Sequence, residues 1–176
     1  MSQIVTPATP DYLAMPDRAE MVRMLIEERQ DTPLAYVRTY GCQQNVADSE
    51  RLKGMLAAMG YGFTENPEEA SLILFNTCAV REHAEDRVFG NVGALKNLKR
   101  RHPDLIIGLC GCMMQQAHVA ERIKRSFAHV DLVFGTHAMG RFPELLYRVM
   151  TERGRVFDLD EGEGILVEGL PVRRDG

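Results

Sequence analysis

Leu34-Ala35-Tyr36-Val37-Arg38-Thr39-Tyr40-Gly41-Cys42-Gln43-Gln44-Asn45, residues 34–45, decides how the rest of the chain is read. A strand-type run ends at a glycine and a cysteine, and from Val46 to Met59 the pattern becomes that of a helix ended by Gly60. The same order of events recurs twice. Leu72 to Phe75 reads as a strand and leads through Asn76-Thr77-Cys78-Ala79-Val80-Arg81 into a helix from about 81 to 101, stopped by Pro103. Leu105 to Leu109 reads as a strand and leads through Gly111-Cys112-Met113-Met114-Gln115 into a helix from about 115 to 127. Short strands at Tyr61 to Thr64, Leu132 to Phe134 and Val156 to Leu159, with a helix at Met139 to Met150, complete the alternation.

Strands that alternate with helices predict an α/β fold, a doubly wound and mainly parallel sheet with helices on both faces, flavodoxin-like or Rossmann-like. In the common strand order 2-1-3-4-5 the first, third and fourth strands are neighbours, and ligands bind beyond their carboxyl ends. Cys42, Cys78 and Cys112 follow those three strands. Neighbouring strands lie about 4.8 Å apart, so three thiols just past consecutive strands fall within a span of about 10 Å. That spacing suits an iron-sulfur cluster or one zinc ion.

Gly41 and Gly111 precede two of the thiols, where glycine serves a tight turn or lets the backbone approach a bulky inorganic centre. Asn45 is placed either to cap the helix from Val46 or to enter the site. Arg81, three residues after Cys78, either pairs with an anion at the site or forms a surface salt bridge. Cys110 lies two residues before Cys112, so if the strand continues their side chains point the same way; it is a core residue or a spare ligand. In a zinc reading His83 and His118 are the candidate fourth ligands, but the thiols lack the paired Cys-x-x-Cys spacing of structural zinc, which favours iron-sulfur. A flavin-binding electron carrier is a further rival on fold alone. The loop after the first strand lacks the Ser/Thr-rich cradle a flavin phosphate would use.

A chain of 176 residues fits one domain whose core needs no metal to hold it together, so a bound metal is functional. The net charge of −4 and pI near 5.8 give no electrostatic footprint for nucleic acid. The start of the chain lacks the features of a signal peptide and no apolar stretch is long enough to span a bilayer, which predicts a cytosolic protein. Cysteines in that compartment are thiols, metal ligands or redox groups rather than a disulfide framework. Residues 1–33 read as a lead-in and a helix from Pro16-Asp17, 34–159 as the main domain, and the Gly- and Glu-rich stretch 160–176 as a connector.

The motifs resemble those of the methylthiotransferases, radical S-adenosylmethionine enzymes that insert sulfur and a methyl group into an unactivated C–H bond. The resemblance runs from about Leu34 to Phe157 and covers their N-terminal domain. Gly41-Cys42-Gln43-Gln44-Asn45 with Asp48-Ser49-Glu50, then Asn76-Thr77-Cys78-Ala79-Val80-Arg81-Glu82, is similar to the tRNA-directed branch, which adds a methylthio group to carbon 2 of N6-isopentenyladenosine at tRNA position 37. The resemblance implies that Cys42, Cys78 and Cys112 hold an auxiliary 4Fe-4S cluster with one iron free of protein ligand. Cys110 is not among the implied ligands; with Asn45 and Arg81 it is a candidate for the surroundings of the cluster. The resemblance further implies a second 4Fe-4S cluster and S-adenosylmethionine on a radical domain. This chain has no cysteine after Cys112, so that domain and the RNA-binding one are expected beyond it, with the isolated chain inactive and monomeric. The implied partners are tRNA, through domains not present here, and a sulfur donor. The alternatives are a non-catalytic zinc-binding or interaction module and a methylthiotransferase with another substrate.

Overall fold

A computed structural model describes residues 17–29, 31–41, 43–78, 84–152, 154–159 and 166–169; Cys42, Arg81 and His83 lie outside them. Asp17 opens the first helix, α1 (Arg18–Glu27), its carboxylate accepting from Ala19 N at 3.3 Å. Next come β1 (Leu34–Thr39), α2 (Gln43–Ala58), β2 (Gly62–Phe63) and β3 (Leu72–Thr77). The single helix expected over 81–101 is broken into α3 (Ala84–Ala94) and α4 (Lys96–Arg101). At the break Leu95 N bonds back to Val92 O, the tighter 3₁₀ pattern, just after Gly90 and Gly93, which weaken a helix. Then follow β4 (Ile106–Gly111), α5 (Ala117–Ser126), β5 (Leu132–Phe134), α6 (Phe142–Glu152), β6 (Gly154–Asp158) and β7 (Leu166–Gly169).

The seven strands form one sheet in the order β2-β1-β3-β4-β5-β6-β7. The first six run parallel and β7 pairs antiparallel on β6. The strand order matches the doubly wound expectation. β7 departs from expectation: it falls in the stretch read as a connector, where the glycines and glutamates of 160–165 obscure a short strand that follows them. Two helices also start later than their patterns suggest. Short 3₁₀ turns, Cys112–Gln115 and Thr136–Arg141, come before α5 and α6 and carry the chain off the sheet edge.

Alternation along each strand divides the core in two. Leu72 and Leu74 of β3, Leu132 and Phe134 of β5 and Val156 of β6 pack with Val22, Leu52, Leu56, Phe142 and Leu145 of α1, α2 and α6. On the other face Ile73, Phe75, Ile107, Leu109 and Val133 pack with Val88, Val92, Leu98, Val119 and Ile123 of α3, α4 and α5. Every residue of β3 and β4 is buried, which is why both read as nearly unbroken apolar runs. A buried cation also lies in the sheet. Arg155 of β6 donates to the carbonyls of Ile123 and Lys124 in the last turn of α5 and of Phe127 and Val130 just after it, which ties the end of that helix to the sheet.

Candidate metal centre at the carboxyl edge of the sheet

Register sets the geometry of this edge. Thr39 of β1 pairs with Asn76 of β3, Asn76 with Cys110 of β4, Cys110 with Phe134 of β5, and Phe134 with Asp158 of β6. These five residues form one row, and their strands end level or nearly so. The segments carrying Cys42, Cys78 and Cys112 therefore leave from three adjacent strand ends. Cys78 is buried and Cys112 partly exposed; Cys42 itself is outside the described residues, between Gly41 and Gln43, which are described.

Two glycines bring the segments together. Gly41 has φ +119°, and a Cβ there would lie 2.3 Å from Cys78 Cβ and 3.2 Å from its Sγ. Gly111 has φ +109°, and a Cβ there would lie 2.2 Å from Thr77 O and 2.7 Å from Thr77 N. Only glycine meets both demands at once, a left-handed backbone and contact with the neighbouring chain. The first glycine presses the Cys42 segment onto Cys78, and the second presses the Cys112 segment onto the residue before Cys78.

A buried polar network fixes the same three strand ends. Asn76 donates through Nδ2 to Asn45 O at 2.8 Å and to Ser49 Oγ at 3.1 Å. Asn45 donates back through Nδ2 to Thr77 O at 2.8 Å and to Asn76 Oδ1 at 3.4 Å. Ser49 and Thr39 share a hydrogen bond of 2.6 Å, and Thr77 Oγ1 donates to Cys110 O at 2.7 Å. The capping role considered for Asn45 is thereby corrected. α2 begins at Gln43, so Asn45 sits inside the first turn and turns its amide across to β3. Sequence reasoning gave Asn76 and Ser49 no part in this network, because their partners are far away along the chain.

Cys110 is fully buried in the core cluster shared with α1, α2 and α6, and burial pushes its thiol far above the ordinary range, with Asp48 acting in the same direction. The strand ends at Gly111, whose positive φ turns the chain, so Cys112 opens a 3₁₀ turn and does not continue the alternation begun by Cys110. His118 has its Nε2 3.1 Å from Glu85 Oε2 and is exposed, which joins the starts of α5 and α3. Among the described residues no three His, Cys, Asp or Glu side chains stand together as a metal set, and Cys42 is the candidate ligand outside them. Arg81 and His83 likewise lie outside the described residues.

The edge continues past Cys112. Thr136 Oγ1 donates to Gln115 Oε1 at 2.9 Å, which ties the turn after β5 to the turn that Cys112 opens. Asp158, wholly buried, lies 3.3 Å from His137 Nε2 and receives a 2.6 Å bond from Arg141 Nη2. Sequence reasoning missed this group. The signal was present in Gly135-Thr136-His137, which follows its strand as Gly41-Cys42 follows β1, and in Asp158 at the end of the next strand.

A region of the chain covering residues 34–135 matches the description "Uncharacterized protein family UPF0004". The chain is 56% identical over 142 residues to a protein of Caldicellulosiruptor saccharolyticus named tRNA-2-methylthio-N(6)-dimethylallyladenosine synthase, with 80% of this chain and 30% of that protein covered. A protein of the same name from Clostridium perfringens is 52% identical over 151 residues, covering 86% of this chain and 34% of the relative. One from Alkaliphilus oremlandii is 58% identical over 138 residues, covering 78% and 29%. The chain thus spans about a third of the length of the curated relatives it matches. Since the matched region takes in β1 through β5 and the two strand ends that bear Cys78 and Cys112, the chain belongs to the family described as UPF0004.

Proposed function

We propose that this chain is the auxiliary-cluster domain of a tRNA methylthiotransferase, with Cys42, Cys78 and Cys112 as the ligands of a 4Fe-4S cluster. The observation that carries the reading is the contact of Gly41 with Cys78 and of Gly111 with Thr77. Together these draw three cysteine-bearing segments onto one sheet edge. The donor set fits such a group, since iron-sulfur clusters are held by cysteine thiolates. When bound, a cluster with three protein ligands supplies an iron open to exogenous sulfur, the element the reaction must deliver.

The rest of the work falls to the protein. Asn45, Asn76, Ser49 and Thr39 hold the strand ends at fixed spacing, so the segments that lead to the ligands start from a rigid edge. Cys78 is 3% exposed, so the protein covers its side chain, while Cys112 is partly exposed. In this reading residues 34–159 make up the cluster domain, 1–33 carry a lead-in and an N-terminal helix, and 160–176 hold the edge strand β7 before the connection onward. S-adenosylmethionine, the second cluster and the grip on tRNA belong to other domains in this reading, as no cysteine follows Cys112 and the net charge is negative. The full reaction on an isopentenylated adenosine of tRNA then needs those domains, a sulfur donor and a cytosolic setting. No helix among the described residues is long and apolar enough to cross a membrane.

The test is iron, acid-labile sulfide and zinc content after anaerobic reconstitution of the chain and of four single variants. About four irons and four sulfides per chain are expected. Alanine at Cys42, Cys78 or Cys112 should abolish stable binding, and Cys110→Ala should retain most of it. About one zinc without sulfide would support a structural-metal module instead. Equal iron loss from all four variants would defeat the ligand assignment.

A further inference from the structure

His137 Nδ1 is buried and has no hydrogen-bond partner among the described residues. The side chain is 8% exposed, so this lone nitrogen has a cost, and the groups around it indicate its use. A carboxylate accepts and does not donate, so the 3.3 Å contact with Asp158 Oδ1 places the ring hydrogen on Nε2. Nδ1 is then a buried acceptor of fixed orientation, because Arg141 holds the other carboxylate oxygen of Asp158.

The space over Gly135 shows what lies near Nδ1. A Cβ on Gly135 would lie 3.2 Å from His137 Nδ1, 2.7 Å from Gln115 Cγ and 3.0 Å from Gln115 Cδ. The imidazole nitrogen and the Gln115 side chain thus meet over the same bare glycine. Gln115 Oε1 already accepts from Thr136 Oγ1. Its amide nitrogen carries two donors as well, and a change of Gln115 rotamer is what would bring one of them to Nδ1. Gln115 closes the four-residue turn that Cys112 opens.

We propose that His137, oriented by Asp158 and Arg141, is a positioning residue for the Cys112 turn, its Nδ1 being the acceptor onto which the Gln115 amide latches. The latch fastens one cysteine segment to the ends of β5 and β6, on the side away from the Asn45–Asn76 network. The proposal rests on the reading of Cys112 as a site residue, and its effect is on where that thiol stands. His137 touches no reacting atom in it.

The test reads each thiol separately and needs no cluster. The 176-residue chain without metal, H137Q and G135A are alkylated with iodoacetamide under native conditions, and the rate at each cysteine is followed by mass spectrometry. Glutamine at 137 keeps an N–H for Asp158 but offers no acceptor at the Nδ1 position; a methyl at 135 stands between ring and amide. Both substitutions should raise the alkylation rate of Cys112 about two- to tenfold, the equilibrium effect of one net hydrogen bond. Cys110, fully buried, should stay unreacted in all three proteins and so report an intact core. Nitrogen-15 spectra of His137 should show the hydrogen on Nε2.

An unchanged Cys112 rate in both variants overturns the proposal, as does a hydrogen found on Nδ1. A rate that rises at Cys110 together with Cys112 also overturns it, since His137 would then be holding the core. Failure of the chain to take up iron and sulfide would count against the proposed function and leave this result standing.

Discussion

Gly41 and Cys78 are in contact at a distance no side chain at 41 would allow: a Cβ there would come within 2.3 Å of Cys78 Cβ. The atom it meets is fixed to the backbone and cannot swing aside. Gly41 also has φ +119°, where an L side chain is strained. Gly41→Ala is therefore expected to lower unfolding free energy by about 1–3 kcal/mol in urea titration. Gly60→Ala is the control, since Gly60 has φ +107° but a methyl there would come closest to Ile26 Cγ2, at 3.3 Å, a side-chain end, with Ile26 Cβ at an ordinary 3.9 Å. Both variants should lose stability, and only Gly41→Ala should lose iron and sulfide on reconstitution.

Asn76→Ala tests the network beneath the site. The amide donates to Asn45 O and Ser49 Oγ and accepts from Asn45 Nδ2, all at buried positions. Its removal strands those partners, and leaving a buried polar group unpaired costs about 1–3 kcal/mol. A loss of that size in chemical denaturation is expected. Asn76→Asp should also be destabilising, because a carboxylate cannot donate to Asn45 O. An unaffected midpoint in both variants would show that water serves these groups equally well.

The strand order and the meeting of three cysteine segments were legible because both follow from βα alternation, a property of the whole chain. Asn45 was harder to read. A polar residue near a helix start has a local explanation as a cap, whereas its observed partner, Thr77 O, lies on another strand. His137 and Asp158 were missed for the same reason, being brought together by the pairing of β5 with β6. Local sequence hid β7 as well: glycine and glutamate lower strand propensity in 160–165, but the edge of β6 supplies the hydrogen-bonding partner that selects the strand after them.

Arg155 is 5% exposed and donates to four carbonyls around the end of α5, with its guanidinium 5.1 Å from the Phe157 ring centre. A planar fork with several fixed donors does this; an ammonium on a flexible stem does not. Arg155→Lys keeps the charge and should still cost roughly 2–4 kcal/mol on the strength of hydrogen bonds to charged groups. Urea unfolding measures the loss. A cost below about 0.5 kcal/mol, the range of ordinary surface changes, would show that the bonds to α5 matter little.

His129 gives the fold a predictable response to acid. Burial lowers its pKa most, Lys96 and Lys99 lower it further, and the bond from Nε2 to Val92 O and the charge of Asp131 oppose them without reversing the direction. The folded-state value is thus below the unfolded value of about 6.5. As pH falls through about 7 toward 6, the unfolded chain takes up the proton first, so the stabilising contribution is present above the unfolded value and is lost on acidification. The loss levels off once the pH passes the folded value. His129→Gln retains an N–H for Val92 O and does not titrate. Between pH 7.5 and 5.5 the urea midpoint of the chain should therefore fall further than that of the variant, and parallel curves would assign the acid response to other groups.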